Sequence, residues 1–120
     1  MDIFDAIKKG DINTVRDLLK KGININMQDN KGETPLFVSV DYENIEIVKL
    51  LLKEKANPNL TDKYNQTAIM IAAGRGNIDI VKAILEYKPD LKVKAKSGAT
   101  AYEFAFENGK TEVAKLLKGK

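Results

Sequence analysis

Histidine and cysteine are both absent from the 120 residues. Without histidine the chain lacks the commonest general base and the commonest metal ligand, which excludes Ser-His and Cys-His nucleophile pairs and ordinary zinc sites. Without cysteine there is no disulfide and no thiolate chemistry, and nothing is learned of the redox compartment. No apolar run approaches the roughly 18–20 residues that a membrane span needs. The opening MDIFDAIKKGD lacks the charged-then-apolar order of a secretory leader, so the expected location is the cytoplasm. A charge excess of one sign is missing too. Twenty basic and 17 acidic residues leave a net +3, a mixed surface that argues only weakly for a nucleic-acid partner. No GxxxxGK phosphate loop occurs, and GRGN at Gly74–Asn77 reads as a turn between helices.

What remains for acid-base work is carboxylates. Glu43, Glu46, Glu54, Asp79, Glu86 and Glu112 are interspersed with Lys49, Lys53, Lys82 and Lys115. Spacings such as Glu46 to Lys49 and Glu112 to Lys115 predict solvated helical ion pairs worth a few tenths of a kcal/mol. The expectation is a protein that is not an enzyme and uses no cofactor or metal.

The 43% hydrophobic content suits one soluble domain, and its arrangement is periodic. Thr34, Thr67 and Thr100 stand 33 residues apart and open TPLFVSV, TAIMIAA and TAYEFAF; one further step back, MDIFDAI follows the same pattern. Downstream, Ile12/Val15/Leu18/Leu19, Ile45/Val48/Leu51/Leu52, Ile78/Val81/Ile84/Leu85 and Thr111/Ala114/Leu117/Lys118 are in register. Their spacing places them on one face of a helix. Small residues Ala6, Ser39, Ala72 and Ala105 recur in the first helix of each unit and read as close packing.

Between the two helices stand Gly10, Gly76 and Gly109, with Glu43 at the fourth equivalent. A left-handed turn there costs a residue with a Cβ on the order of 1 kcal/mol. Gly32, Asn65 and Gly98 share a position between units, where a tight turn is expected.

DNKGETPLF, IEIVKLLL and ANPN together resemble an ankyrin repeat, whose motif reads DxxGxTPLHxA, a glycine, IVxLLL and GADVN. Asp29, Gly32, Thr34, Pro35, Leu36, Ile47, Val48, Leu50 to Leu52, Ala56 and Asn57 match it; the next unit keeps Asp62, Thr67, Ala72, Ala73, Gly76, Asn77, Ile80 and Val81. The resemblance covers the whole chain. It implies an all-α solenoid of helix-turn-helix pairs joined by β-hairpin-like loops, in a single domain with units at about 1–28, 29–61, 62–94 and 95–120. Phe37, Met70 and Glu103 stand where the family has histidine, so looser inter-repeat packing is expected. Lys55 and Lys88 replace the glycine that ends the second helix and Pro89 the following alanine, which marks the third-to-fourth connection as the least regular. Terminal units of a stack need polar outer faces. Asp5 stands where Val38, Ile71 and Phe104 stand elsewhere, and Lys115 and Lys118 dilute the last helix; both ends are expected to cap a complete small domain.

The resemblance also implies where a partner sits: on loop tips and the exposed face of the first helices, along a concave groove. Tip positions here are Asn30, Lys31 and Glu33, then Lys63, Tyr64 and Gln66, then Lys96, Ser97 and Ala99. Groove positions are Lys8 and Lys9, Asp41 and Tyr42, Gly74 and Arg75, and Glu107 and Asn108. Tyr42, Tyr64 and Arg75 are the types enriched at interface hot spots and are the expected anchors for one partner protein, bound by a monomer. Two alternatives stay open: weak binding of nucleic acid or an acidic partner through Lys92, Lys94 and Lys96, and a structural or assembly scaffold.

Overall fold

The computed structural model describes residues 1–120, and the chain forms eight helices and no strand: α1 (Ile3–Lys9), α2 (Ile12–Lys20), α3 (Pro35–Asp41), α4 (Ile45–Lys53), α5 (Ala68–Arg75), α6 (Ile78–Leu85), α7 (Ala101–Glu107) and α8 (Thr111–Leu117). Each is short, at seven to nine residues. Helices of that length are not stable alone in water, so caps and packing must supply what length does not. The Thr34 hydroxyl accepts the Phe37 N–H (3.1 Å), and Asp11, Asn44 and Asn77 cap α2, α4 and α6 by accepting the N–H three residues on. Lys110, at the same place before α8, has no acceptor to offer and makes no cap bond.

The pairs stack in order, α1, α3, α5 and α7 in one row and α2, α4, α6 and α8 behind them. A single apolar core runs the length of a body measuring 40 × 25 × 22 Å. Ala6, Ser39, Ala72 and Ala105 are buried along the first row, which lets those helices approach closely, and the Ser39 hydroxyl is satisfied by donating to the Leu36 carbonyl (2.7 Å).

Between pairs the chain makes narrow hairpin tips. Asp29 N–H donates to the Glu33 carbonyl, Asp62 N–H to that of Gln66, and Ala95 N–H to that of Ala99 (each 3.0 Å). Gly32, Asn65 and Gly98 take the expected left-handed conformation, with φ of 78°, 59° and 91°. Neighbouring tips are joined by Lys63 N–H to the Lys31 carbonyl and Lys96 N–H to the Tyr64 carbonyl (2.9 Å each). Gly32 is needed for a second reason: a Cβ there would lie 3.1 Å from the Asp62 Cα.

Three expectations need correction. Packing is not loosened where the family histidine is missing, because Phe37 and Met70 are themselves 4% and 1% exposed. Glu103 restores polar bonds at the third such site, accepting the Thr100 N–H (3.0 Å) and hydroxyl (3.2 Å). At the second site one group is left over: the buried Thr67 hydroxyl has no partner, since Met70 brings only a thioether that the Thr67 N–H approaches at 3.4 Å. The third-to-fourth connection keeps the regular bond at its start, although its tip has Ala95 where the other two have aspartate. Asp90 N–H donates to Asn59 Oδ1 (2.7 Å) just as Asn57 N–H, one period earlier, donates to Asn26 Oδ1 (2.9 Å). Nor do the Glu46–Lys49 and Glu112–Lys115 pairs form. The only two ion pairs belong to Arg75, in keeping with the small gain that fully solvated pairs bring.

Lys55 and Lys88 hold φ of 73° and 50°, a conformation that strains a residue with a Cβ. Lys55→Gly and Lys88→Gly should each raise stability by about 0.5–1 kcal/mol after the entropy of the unfolded glycine is counted, read from urea midpoints. The orphaned hydroxyl predicts a contrast at one repeat position: Thr67→Val should stay within about 0.5 kcal/mol of the parent or exceed it, because it deletes an unpaired group, whereas Thr34→Val should lose about 0.5–2 kcal/mol with its cap.

Candidate protein-docking face

The hairpin tips and the C-terminal ends of the first helices make one continuous row of unit-to-unit equivalent positions, and every candidate residue lies on it with its side chain at least partly accessible. Lys8, Lys9, Asn30, Lys31, Tyr42, Lys63, Tyr64, Arg75, Lys96 and Glu107 are exposed; Glu33, Asp41 and Gln66 are half-buried. The tips are stiffened from within. Asp29 accepts the N–H groups of Lys31 and Glu33 (2.9 Å each), and Asp62, itself buried, accepts those of Tyr64 (3.0 Å) and Gln66 (2.8 Å). In the third tip Ala95 replaces the aspartate, and only the Ser97 hydroxyl, accepting the Ala99 N–H at 3.4 Å, stands in.

Tyr42 and Arg75 occupy the same position in successive units, at the ends of α3 and α5. Arg75 does not point freely into solvent: its Nη2 donates to Asp41 Oδ1 at 2.7 Å, and Nη1 lies 3.7 Å from Glu43 Oε2. Glu43 also accepts from Asn77 Nδ2 (3.1 Å). Glu43 has the expected positive φ, 54°, and the bonds across to α5 and α6 explain what this residue does where the other units have glycine. The Arg75 side chain is 45% exposed, so the pair adds little stability but holds the group in one orientation. Tyr42 is 52% and Tyr64 53% exposed. Lys63 Nζ sits 5.2 Å from the centre of the Tyr64 ring, within reach of a weak cation–π attraction.

Charge is unevenly spread. Partial burial, then the negative field of Asp29 and more distantly of Asp41 and Asp62, raises the Glu33 carboxyl above its usual range, with Lys31 opposing. At the last pair the reverse holds. The Thr100 N–H and then its hydroxyl, helped by Lys94, hold the Glu103 carboxyl below the usual range. Lys92, Lys94 and Lys96 are exposed and alternate with the less accessible Leu91, Val93 and Ala95. Only Lys92 and Lys94 of the three line the basic hollow beside α7 and α8.

The family model for ankyrin repeats (3 copies) matches residues 3–95 and 42–120. The chain belongs to the ankyrin repeat family. Among curated proteins it is similar to the ankyrin repeat protein FPV223 of Fowlpox virus (strain NVSL), 42% identical over 45 residues. That match takes in 38% of this chain and 32% of the viral protein, so the relationship spans about a third of the relative's length. No helix of this ankyrin repeat chain is long and apolar enough to cross a membrane.

Sequence reasoning located the row but missed how it is held. The Arg75–Asp41 and Asn77–Glu43 contacts join residues 34 apart, one more than the period, which only the stacking of α5 on α3 makes visible. Exposed Phe106 was also missed, because it falls in a register that elsewhere is core.

The two carboxyl shifts carry opposite pH signatures. Glu33, raised in the folded state, stabilises at low pH and loses that contribution as pH climbs through its unfolded and then folded pKa; Glu103, lowered, stabilises above its unfolded pKa and loses that contribution as pH falls through the folded one. Carboxyl NMR titration should find Glu33 ionising above, and Glu103 below, the ordinary glutamate range. Thermal melts across about pH 3–7 should show less loss of stability with rising pH for Glu33→Gln and less loss on acidification for Glu103→Gln.

Proposed function

We propose that this ankyrin repeat domain is a non-catalytic module that binds one partner protein through its hairpin tips and the groove along its first helices, with Tyr42, Tyr64 and Arg75 as anchors. Ankyrin repeats are generally protein–protein interaction modules. The observation that supports this particular surface is the state of three side chains at positions the repeat leaves free. Two tyrosines are about half exposed, and an arginine is already oriented by Asp41. Tyrosine brings large contact area with few torsions to freeze, and an arginine fixed before binding loses less freedom on docking than a mobile one. The equivalents of Tyr42 are Lys9, Arg75 and Asn108, and those of Tyr64 are Lys31 and Ser97. Variation at fixed places on a regular scaffold is where specificity can reside without disturbing the fold.

The row carries both signs, Glu33 and Asp41 standing among Lys31, Lys63 and Arg75, so charge favours a partner of matching mixed pattern rather than one of a single sign. Affinity capture from an extract of the source cells, with wild type beside the Tyr42→Ala/Tyr64→Ala/Arg75→Ala variant, should recover a protein on the first and lose it on the second. Measured with that protein, the triple variant should bind more than about tenfold more weakly, while helicity is unchanged and melting moves little because the Arg75 pair is exposed. Equal recovery on both would remove the reading. So would filter binding of a nucleic acid that falls steeply with salt and is abolished by alanine at Lys92, Lys94 and Lys96.

A further inference from the structure

In the second row of helices a hollow of about 530 Å³ lies between α2 and α4. Both walls belong to consecutive units, so a further unit stacked on either end would not enter it. The floor is apolar, made by Ile12, Leu19 and Leu50, each half-buried. The repeat does not demand this opening. One unit on, the equivalents of Leu50 and Leu19 are Ala83 and Leu52, only 8% and 1% exposed. There the small alanine lets α6 close on α4, and those two helices pack more closely than α2 and α4 do.

Arg16 and Lys20 stand one turn apart on the α2 wall, and Lys49 and Lys53 are their repeat equivalents on the α4 wall. The two cationic pairs therefore lie at the same level across the hollow, where like charges repel. Glu46 and Glu54 stand at the two ends of the α4 wall, roughly 12 Å apart along the axis by helical rise. All of these charged side chains are exposed, and none is in an ion pair, since the only two pairs belong to Arg75. One unit on, Glu86 takes the place of Lys53, so the next gap already holds a carboxylate where this one holds a cation.

We infer that this hollow docks a short amphipathic helix of another protein, with apolar side chains turned to the floor and acidic side chains at the middle of its length only. The shape follows from the walls. Two parallel helices held apart leave a trough that a third fills with side chains spaced three and four apart. The sign follows from the four central cations, which attract carboxylates, and from Glu46 and Glu54, which repel them beyond the centre. A nucleic-acid strand fits less well, because its phosphates would continue past both glutamates. The trough, rimmed by exposed side chains, is too open to enclose a small ligand as a closed site does. A second copy of the chain would oppose cations to cations. The site lies in the second row of helices, apart from the tips, and does not rest on the function proposed for them.

The test uses ¹⁵N-labelled full chain and a capped synthetic peptide of roughly 18 residues, with leucines spaced three and four apart and glutamates beside them in the central turns. A second peptide has glutamine for glutamate, and a third has its glutamates moved to both ends. The first should bind with Kd below about 1 mM and shift the amides of Arg16, Leu19, Leu50 and Lys53. The other two should bind at least about tenfold more weakly. Leu50→Ala/Lys53→Glu copies what the third unit carries at the same positions and should weaken binding at least about tenfold, with the helical spectrum kept. Lys53→Glu alone, at an exposed position, should weaken it severalfold with melting unchanged. The Tyr42/Tyr64/Arg75 alanine variant should bind as wild type does, which separates this site from the tip row. The inference is overturned by no binding at about 1 mM, by equal binding of the three peptides, by shifts centred on Tyr42 and Tyr64, or by unchanged affinity in both Lys53 variants. Tighter binding of an oligothymidylate of about eight nucleotides at the same amides would replace the occupant with nucleic acid, and Leu50-dependent self-association in sedimentation equilibrium would replace it with a second copy.

Discussion

Everything in this molecule depends on the packing of one helix pair against the next. A helix of seven to nine residues has too few hydrogen bonds to offset its own ordering, and a pair of them has an apolar face it cannot hide alone. Stacking solves both problems at once and makes the core continuous along the long axis. It also fixes the period. Once pairs stack at a constant register, hairpin tips are brought near enough for Lys63 N–H to reach the Lys31 carbonyl and Lys96 N–H that of Tyr64. Gly32 is then excluded from carrying a side chain by the Asp62 backbone of the next tip. Local backbone choice and long-range packing are thus the same constraint seen at two scales.

Much of this was legible in the sequence because it repeats. The threonines 33 apart, the apolar register of the second helices and the left-handed turn positions all reappear where the pattern places them, down to the positive φ of Glu43. What failed to show was everything that breaks the period. The missing histidine looked like lost packing, yet Phe37 and Met70 fill the site with apolar volume and leave only the Thr67 hydroxyl unpaired. Helical spacing of Glu46 and Lys49 looked like an ion pair, but spacing permits a contact without making it worth the side-chain entropy. The contact that does form, Arg75 to Asp41, joins neighbouring units, and no periodic reading within one helix could find it. Of the row of tips and first-helix ends, the place of each residue was readable; which side chains are already engaged was not.

Glu43 shows how a departure from the pattern can be carried. Its backbone is strained relative to the glycine of the other units, yet its carboxylate bonds Asn77 and lies near Arg75. Those contacts tie the end of α3 to the next pair at the row where Tyr42 and Arg75 stand. A glycine there would relax the turn and remove the bond to Asn77 and the longer contact to Arg75, leaving the arginine its 2.7 Å bond to Asp41. Strain of order 1 kcal/mol is small against the packing of a pair, so the fold tolerates it where orientation of a surface group is the return.

The charge pattern gives the stack a direction that a net +3 conceals. Burial, and then the neighbouring Asp29, raises the Glu33 carboxyl on a tip row that also carries Lys31, Lys63 and Lys96, while lysines in no ion pair surround Tyr102 and Phe106. Screening confines each field to about 8–10 Å at physiological salt, a fraction of the 40 Å long axis. The two regions therefore act on incoming molecules separately rather than cancelling. The ends differ in the same sense: Asp5 makes the first outer helix polar where its equivalents are apolar, and Phe106 leaves the last one apolar where its equivalents are covered. The two outer first helices thus differ in kind within one regular repeat, a carboxylate standing in α1 and an exposed phenylalanine in α7, with the packing between pairs unchanged.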